Sequence, residues 1–373
     1  MTMLTTLLLN ASLLAPPPDS ALPKRFSLLP LPLLYYSPET RLGYGAAATA
    51  TFRFRGDTSR QGFPSGVRPS QVGLGVAYTQ NNQLLLYAPF QIFYRNNQYF
   101  TNGELGYYRY SYLYFGRGTQ QIPPELYGVN FPRIRVNVFR RISRADASRP
   151  GRGLYAGLRY QYEHYGVTTT VPEGQLANGT VVGGLGSTLS GVGTGLFFDS
   201  RDNLFYPNRG LVADLTYLIH GRAVGSQVRF SRYVADVTSY HPLSNRLTLA
   251  LNYVLSVTGG GQAPFNALSL LGGNKRGRGF YEGRYRDDNL ALLQAELRLR
   301  VWGRLGLVGF GSVGALGNQT DFLRLSDPKG AYGAGLRLRV NRDLVNVRLD
   351  YGRGLPYSGT GTSGVYVTVG EAF

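Results

Sequence analysis

The chain has 373 residues, including 50 Gly, 28 Tyr, 19 Phe and no Cys, and its 39 Lys plus Arg against 21 Asp plus Glu give 39 − 21 = +18. The absence of Cys excludes disulfide scaffolds, Cys-based zinc sites and thiol nucleophiles, and the three His, at 164, 220 and 241, fit no HExxH spacing, so neither a metal nor a cofactor is expected. The basic residues form no block of five or six. They alternate singly with apolar residues, which argues against a nucleic-acid partner and for charge displayed on one face of strands.

Residues 1–22, MTMLTTLLLNASLLAPPPDSAL, read as a secretory signal core with cleavage near Ala15 or as a plain apolar tail, the first Lys being Lys24. No stretch reaches 18 consecutive apolar residues, so no transmembrane helix is expected. From about residue 40 onward one theme recurs: an alternating segment, then a turn of Gly, Asn, Asp or Pro. The predicted strands are 29–36, 41–55, 69–80, 83–95, 98–115, 131–143, 152–168, 187–199, 210–221, 226–240, 245–258, 290–302, 305–316, 331–340, 344–352 and 364–373. Pro30 and Pro32 restrict the first to an edge position or a short strand. The longest strand-free connection is 259–289.

Strand side chains point alternately to the two faces. Arg133, Arg135 and Asn137 oppose Ile134, Val136 and Val138; Arg159 opposes Leu158 and Tyr160. Gln294, Glu296, Arg298 and Arg300 oppose Ala295, Leu297, Leu299 and Val301. Arg337 and Arg339 oppose Leu336 and Leu338, and Arg348 opposes Val347 and Leu349. Many segments are longer than the usual strand of a soluble sandwich or propeller. Aromatic residues crowd their ends: Tyr107-Tyr108, Tyr110, Tyr112 and Tyr114, then Phe197-Phe198 and Phe205-Tyr206. An apolar band between aromatic girdles, backed by a polar face, predicts an all-β transmembrane antiparallel barrel of about sixteen strands. In that fold 23–373 is one barrel domain, its outer face meets outer-membrane lipid, and its arginines line the lumen.

No catalytic constellation emerges. Arg55-Gly56-Asp57 reads as turn chemistry, the Gly-rich runs at 183–195 and 258–261 lack a nucleotide-loop context, and Asp287-Asp288 are adjacent and point apart. No enzyme is expected.

Four motifs resemble those of the BamA/TamA-like outer-membrane barrels, the bacterial surface antigen family. Gly277-Arg278-Gly279-Phe280 is similar to (V/I)RG(F/Y), with Gly277 where Val or Ile is usual. Asp199, Arg201, Asp202, Pro207 and Gly210 resemble a D-x-R-D/N-…-P-x-x-G turn. The ending, Arg348-Leu349-Asp350-Tyr351-Gly352 and then GVYVTVGEAF, resembles a C-terminal assembly signature carried by Tyr366 and Phe373, although girdle residues would look the same. Tyr36-Ser37-Pro38-Glu39-Thr40 leads into a Gly-rich strand as in stand-alone members.

The resemblance implies that loop 259–289 folds into the lumen and that Arg278 pairs with acids on the next two strands. Glu296 matches the first acid; the second falls in Phe310-Gly311-Ser312, where Ser312 replaces Asp and leaves one charged partner. It also implies a barrel that inserts or translocates proteins at the outer membrane through a weak seam between its first and last strands. Family members carry POTRA domains before the barrel. Only about 28 residues precede the first strand here, so substrate capture is expected from periplasmic or outer-membrane partner proteins. The alternative is a passive pore made anion-preferring by Arg133, Arg135, Arg159, Arg298, Arg300, Arg337, Arg339 and Arg348, or a structural surface-antigen barrel.

Overall fold

The structure, a computed structural model, describes residues 26–54, 68–118, 122–144, 152–203, 206–339, 346–355 and 361–373. Segment 1–22, the Arg55-Gly56-Asp57 turn and Phe205 lie outside the described residues. The strands are β1 (Phe26–Ser37), β2 (Arg41–Phe52), β3 (Ser70–Thr79), β4 (Leu84–Tyr94), β5 (Tyr99–Tyr114) and β6 (Glu125–Arg141). Next come β7 (Gly153–Thr169), β8 (Ser187–Asp199), β9 (Gly210–His220), β10 (Phe230–Pro242) and β11 (Leu247–Gly259). Two short strands follow, β12 (Ser269–Leu271) and β13 (Tyr285–Asp287), and then β14 (Asn289–Trp302), β15 (Leu305–Gly317), β16 (Lys329–Arg339), β17 (Asn346–Gly354) and β18 (Ser363–Val369).

All but β12 and β13 close into one sixteen-stranded antiparallel barrel, each strand paired with its neighbours around the ring and β1 meeting β18. The alternation is the reason. On β14, Gln294, Glu296 and Arg298 are buried inward while Leu293, Leu297 and Leu299 are exposed outward. The same split leaves Leu74, Leu158, Leu215, Leu307 and Leu336 bare on the outside. An apolar surface of that extent around a closed ring fits hydrocarbon, not water. Trp302, 80% exposed at the end of β14, stands where a girdle residue belongs.

Four expectations need correction. The connection 259–289 is not strand-free: β12 and β13 pair from Ser269↔Asp287 to Leu271↔Tyr285. Tyr108, Tyr110, Tyr112 and Tyr114 are not girdle residues; they face inward and pack with Phe131, Tyr165 and Phe265 into a buried aromatic cluster. Only Tyr107 of that run is exposed. β6 starts six residues earlier than predicted, at Glu125 rather than 131, because Pro132 sits within a long strand instead of opening one. Finally, β18 ends at Val369 rather than 373: Gly370 has φ +84°, a left-handed conformation that suits glycine, and the last residues turn inward.

The barrel is closed unevenly. β1 pairs with β2 along its whole length, from Phe26↔Phe52 to Ser37↔Arg41. Among the described residues it pairs with β18 only at Tyr36↔Val367.

Candidate functional site

Segment 260–288 follows β11 and packs against buried residues of β14–β18. Its hairpin β12–β13 places Leu271, Phe280 and Tyr285 against Val254, Leu290, Leu292 and Leu316, so the loop brings its own apolar core. Phe280 meets Tyr285 edge-on, with ring centroids 5.2 Å apart. At the hairpin end Asp287 accepts from Arg117 (3.1 Å) and Arg324 (3.1 Å), and Asp288 accepts from Arg117 at 2.6 Å. These contacts tie the loop to the connections after β5 and β15.

Below the hairpin, Arg278 enters a buried ionic hub. Its guanidinium donates to Asp350 on β17 at 2.6 Å and pairs with Glu296 on β14. It lies 3.6 Å over the centre of the Phe310 ring on β15. Arg298 Nε donates to Glu296 at 2.8 Å. Arg337 donates to Asp350 and, at 2.9 Å, to Glu371 of the inward-turned C-terminus. Arg348 donates to the Asn274 carbonyl at 2.8 Å and to Thr368. Four guanidiniums, Arg278, Arg298, Arg337 and Arg348, thus face three carboxylates, Glu296, Asp350 and Glu371, a balance of 4 − 3 = +1. A charge removed from water needs an opposite charge within hydrogen-bond reach, and each guanidinium here has an acceptor.

The loop backbone is gripped as well. Gly277 N–H donates to Gln294 (3.1 Å), Gly279 N–H donates to the Tyr366 hydroxyl (3.1 Å), and that hydroxyl donates to the Phe280 carbonyl (3.2 Å). Thr362 donates to the Gly279 carbonyl at 2.8 Å. Two glycines make this contact close. A Cβ on Gly352 would sit 2.7 Å from the Arg278 carbonyl, and Gly279, at φ +115°, would put one 2.6 Å from Arg353.

Several residues named from the sequence sit elsewhere than expected. Ser312 does not serve Arg278; the second acid is Asp350, so Arg278 has two charged partners, not one. Tyr366 is fully buried against the loop and not in a girdle. Phe373 turns into the lumen, with the Arg298 guanidinium 5.6 Å over its ring. Arg300 and Arg339 are rim residues that donate to the carbonyls of Asn245 and Gly303 in adjacent turns. Arg133, Arg159, Arg298, Arg337 and Arg348 face inward and are paired: Arg133 Nε donates to Glu163 at 2.7 Å, and Arg159 pairs with Asp214. Arg135 faces inward without a hydrogen bond or ion pair among the described residues.

The turn after β8 has a mechanical explanation. Buried Asp199 accepts from Arg201 (2.9 Å) and Arg68 (3.1 Å). Asp202 accepts the N–H groups of Asn203, Asn208 and Arg209 around Pro207, and Gly210 closes the turn at φ +108°. Glu371 and Asn274 escaped the sequence reading. Glu371 lay in a presumed strand, and Asn274 contributes only a carbonyl.

The closed ring, its bare apolar outside and its ion-paired inside define a transmembrane β-barrel. A family model for the Omp85 superfamily domain matches residues 31–373, and the chain belongs to that superfamily. It is an integral outer-membrane barrel. The fold is similar to BamA from Haemophilus ducreyi lacking POTRA domains 1–3 (TM-score 0.59, 12% identity, 93% of this chain and 70% of that one). It is similar also to CdiB from Acinetobacter baumannii (0.60, 16%, 93% and 60%) and CdiB from Escherichia coli (0.59, 13%, 93% and 64%). The chain therefore spans less than two thirds of either CdiB chain. No curated protein matches it.

Proposed function

We propose that this barrel inserts or translocates proteins at the outer membrane, with loop 260–288 closing the lumen and the β1–β18 seam receiving an incoming strand. The observation that carries the reading is the seam. Among the described residues β1 meets β18 at one register position, and the edge from Phe26 to Tyr35 has no partner strand on that side. A free edge is a template for strand addition. Its cause is local: β18 has only seven residues and the chain then turns inward at Gly370, while Pro30 and Pro32 remove two backbone donors from β1. Outer-membrane lipid surrounds the barrel, and partner proteins supply substrate capture.

Single-channel conductance of the refolded barrel, wild type against a deletion of residues 272–286, tests the closure. A nearly closed wild type and a large, anion-preferring pore in the deletion support it. Steady conductance in the wild type, little changed by the deletion, would leave the passive pore as the function. The paired state of most lumen arginines weighs against that pore, since a guanidinium already neutralised by a carboxylate attracts few anions.

A further inference from the structure

Beneath the loop tip, Asn274–Arg276, lies a cavity of about 690 Å³ that runs down to Arg201 and Phe373. Its upper wall gathers like charges. Lys275 and Arg276 come from the tip and Arg232 from β10, while Arg348 of β17, not itself in the lining, lies near Lys275. Asp236 lies 3.6 Å from Arg276. Against these four cations stand Asp236, Glu282 in the cavity lining and Asp288 near Arg232, 4 − 3 = +1; Asp288 already accepts from Arg117, and Asp350 is shared by Arg278 and Arg337.

The donors are not exhausted. Arg232 gives one N–H to the Thr258 hydroxyl at 2.8 Å, while its Nε is buried with no acceptor. One Nη of Arg348 is likewise buried without a hydrogen bond, 3.8 Å from Asp350. Burial, then the Arg348 guanidinium and Arg276, push the Lys275 ammonium down to about 8 against the opposing pull of Asp236. The group is short of negative charge.

We infer that the loop tip and Arg232 form a binding site for a multivalent phosphate group, which this excess of directional cationic donors would hold from several sides. Guanidinium forks match phosphate oxygens in pairs, and an ammonium adds a point charge. The cavity has room for a diphosphate and the group that carries it, and is small for a folded partner. Because Lys275 and Arg276 belong to the loop and Arg232 to the wall, the bound anion fastens one to the other. This holds whether or not the barrel handles proteins.

Titration calorimetry of inorganic pyrophosphate into the folded full chain, in uncharged detergent micelles, tests it. One saturable site per chain is expected. Arg232→Gln and Lys275→Gln should each weaken binding about tenfold or more, as loss of a charge-assisted hydrogen bond does. Arg246→Gln, in the exposed turn after β10, should leave it as it was. The bound anion favours the charged ammonium, so near pH 8 binding should draw a proton from the buffer, and affinity should fall above that pH. Repeating the titration in micelles doped with phosphatidic acid separates the sources: displacement of pyrophosphate assigns a lipid headgroup, and undiminished binding assigns a soluble phosphate. No saturable heat, or equal affinity in the two variants, overturns the site. Should a variant not fold, the wild type decides: no saturable heat at low ionic strength overturns the site.

Discussion

Arg278→Ala removes the loop side chain that reaches two wall carboxylates at once. The hub then holds three guanidiniums and three carboxylates, 3 − 3 = 0, with Glu296 still paired to Arg298 and Asp350 to Arg337. The wall should therefore stay intact while the loop loses its anchor. Two charge-assisted hydrogen bonds at ~1.5–3 kcal/mol each, less the desolvation that Arg278 no longer suffers, put the lost docking energy at about 3 kcal/mol. At about 1.4 kcal/mol per tenfold, the undocked population rises about a hundredfold. Glu296→Gln does the reverse. It leaves four guanidiniums and two carboxylates, 4 − 2 = +2, fully buried, and should cost about 3–5 kcal/mol of barrel stability. Planar-bilayer recordings report the first effect as open-event frequency; thermal unfolding of the refolded barrel, followed by its gel mobility, reports the second. An open frequency for Arg278→Ala within threefold of wild type, or a larger fall in unfolding temperature than Glu296→Gln gives, would refute this role for the hub.

Gly352→Ala should also undock the loop without touching a charge, because the new Cβ would meet the Arg278 carbonyl at 2.7 Å; an unchanged open frequency would show that the strand or loop yields there. A cysteine pair at Tyr36 and Val367, in a chain with no other Cys, should lock the seam once oxidised and abolish assembly activity measured on a reconstituted substrate barrel. Full activity with the bond formed would remove the seam from the mechanism. Glu39, in the β1–β2 turn, accepts the Glu282 N–H at 2.8 Å, and burial together with the Glu282 carboxylate raises its carboxyl from 4.5 to about 7. The folded state then holds a proton that the unfolded chain releases, so stability is greatest below pH 4.5 and declines as pH rises to about 7, by about 3 kcal/mol in all. Glu39→Gln should flatten that decline in unfolding measured from pH 4.5 to 7.5; an unaltered slope would place its origin elsewhere.

Sequence alone determined the face on which each side chain of a strand lies, because the pleat alternates with period two whatever the strand's neighbours. That was enough for the barrel, its sixteen strands, its lipid-facing leucines and the inward set that includes Glu296, Arg298 and Arg348. It could not give height along the barrel axis, which register and stagger around the ring decide. Asp350 shares its face with Arg348 and was in plain view, yet only the pairing of β16, β17 and β18 brings it level with Arg278. Arg300 and Arg339 have the inward parity but emerge at the rim, for the same reason. The tyrosines of β5 were misplaced because an amphipathic ring suits both a membrane interface and a packed lumen, and only the neighbouring strands supply the rings they stack on. The loop motif advertised its arginine. Its grip, its second acid and the cationic cavity beneath its tip belong to the tertiary structure, since they join residues from strands far apart in sequence.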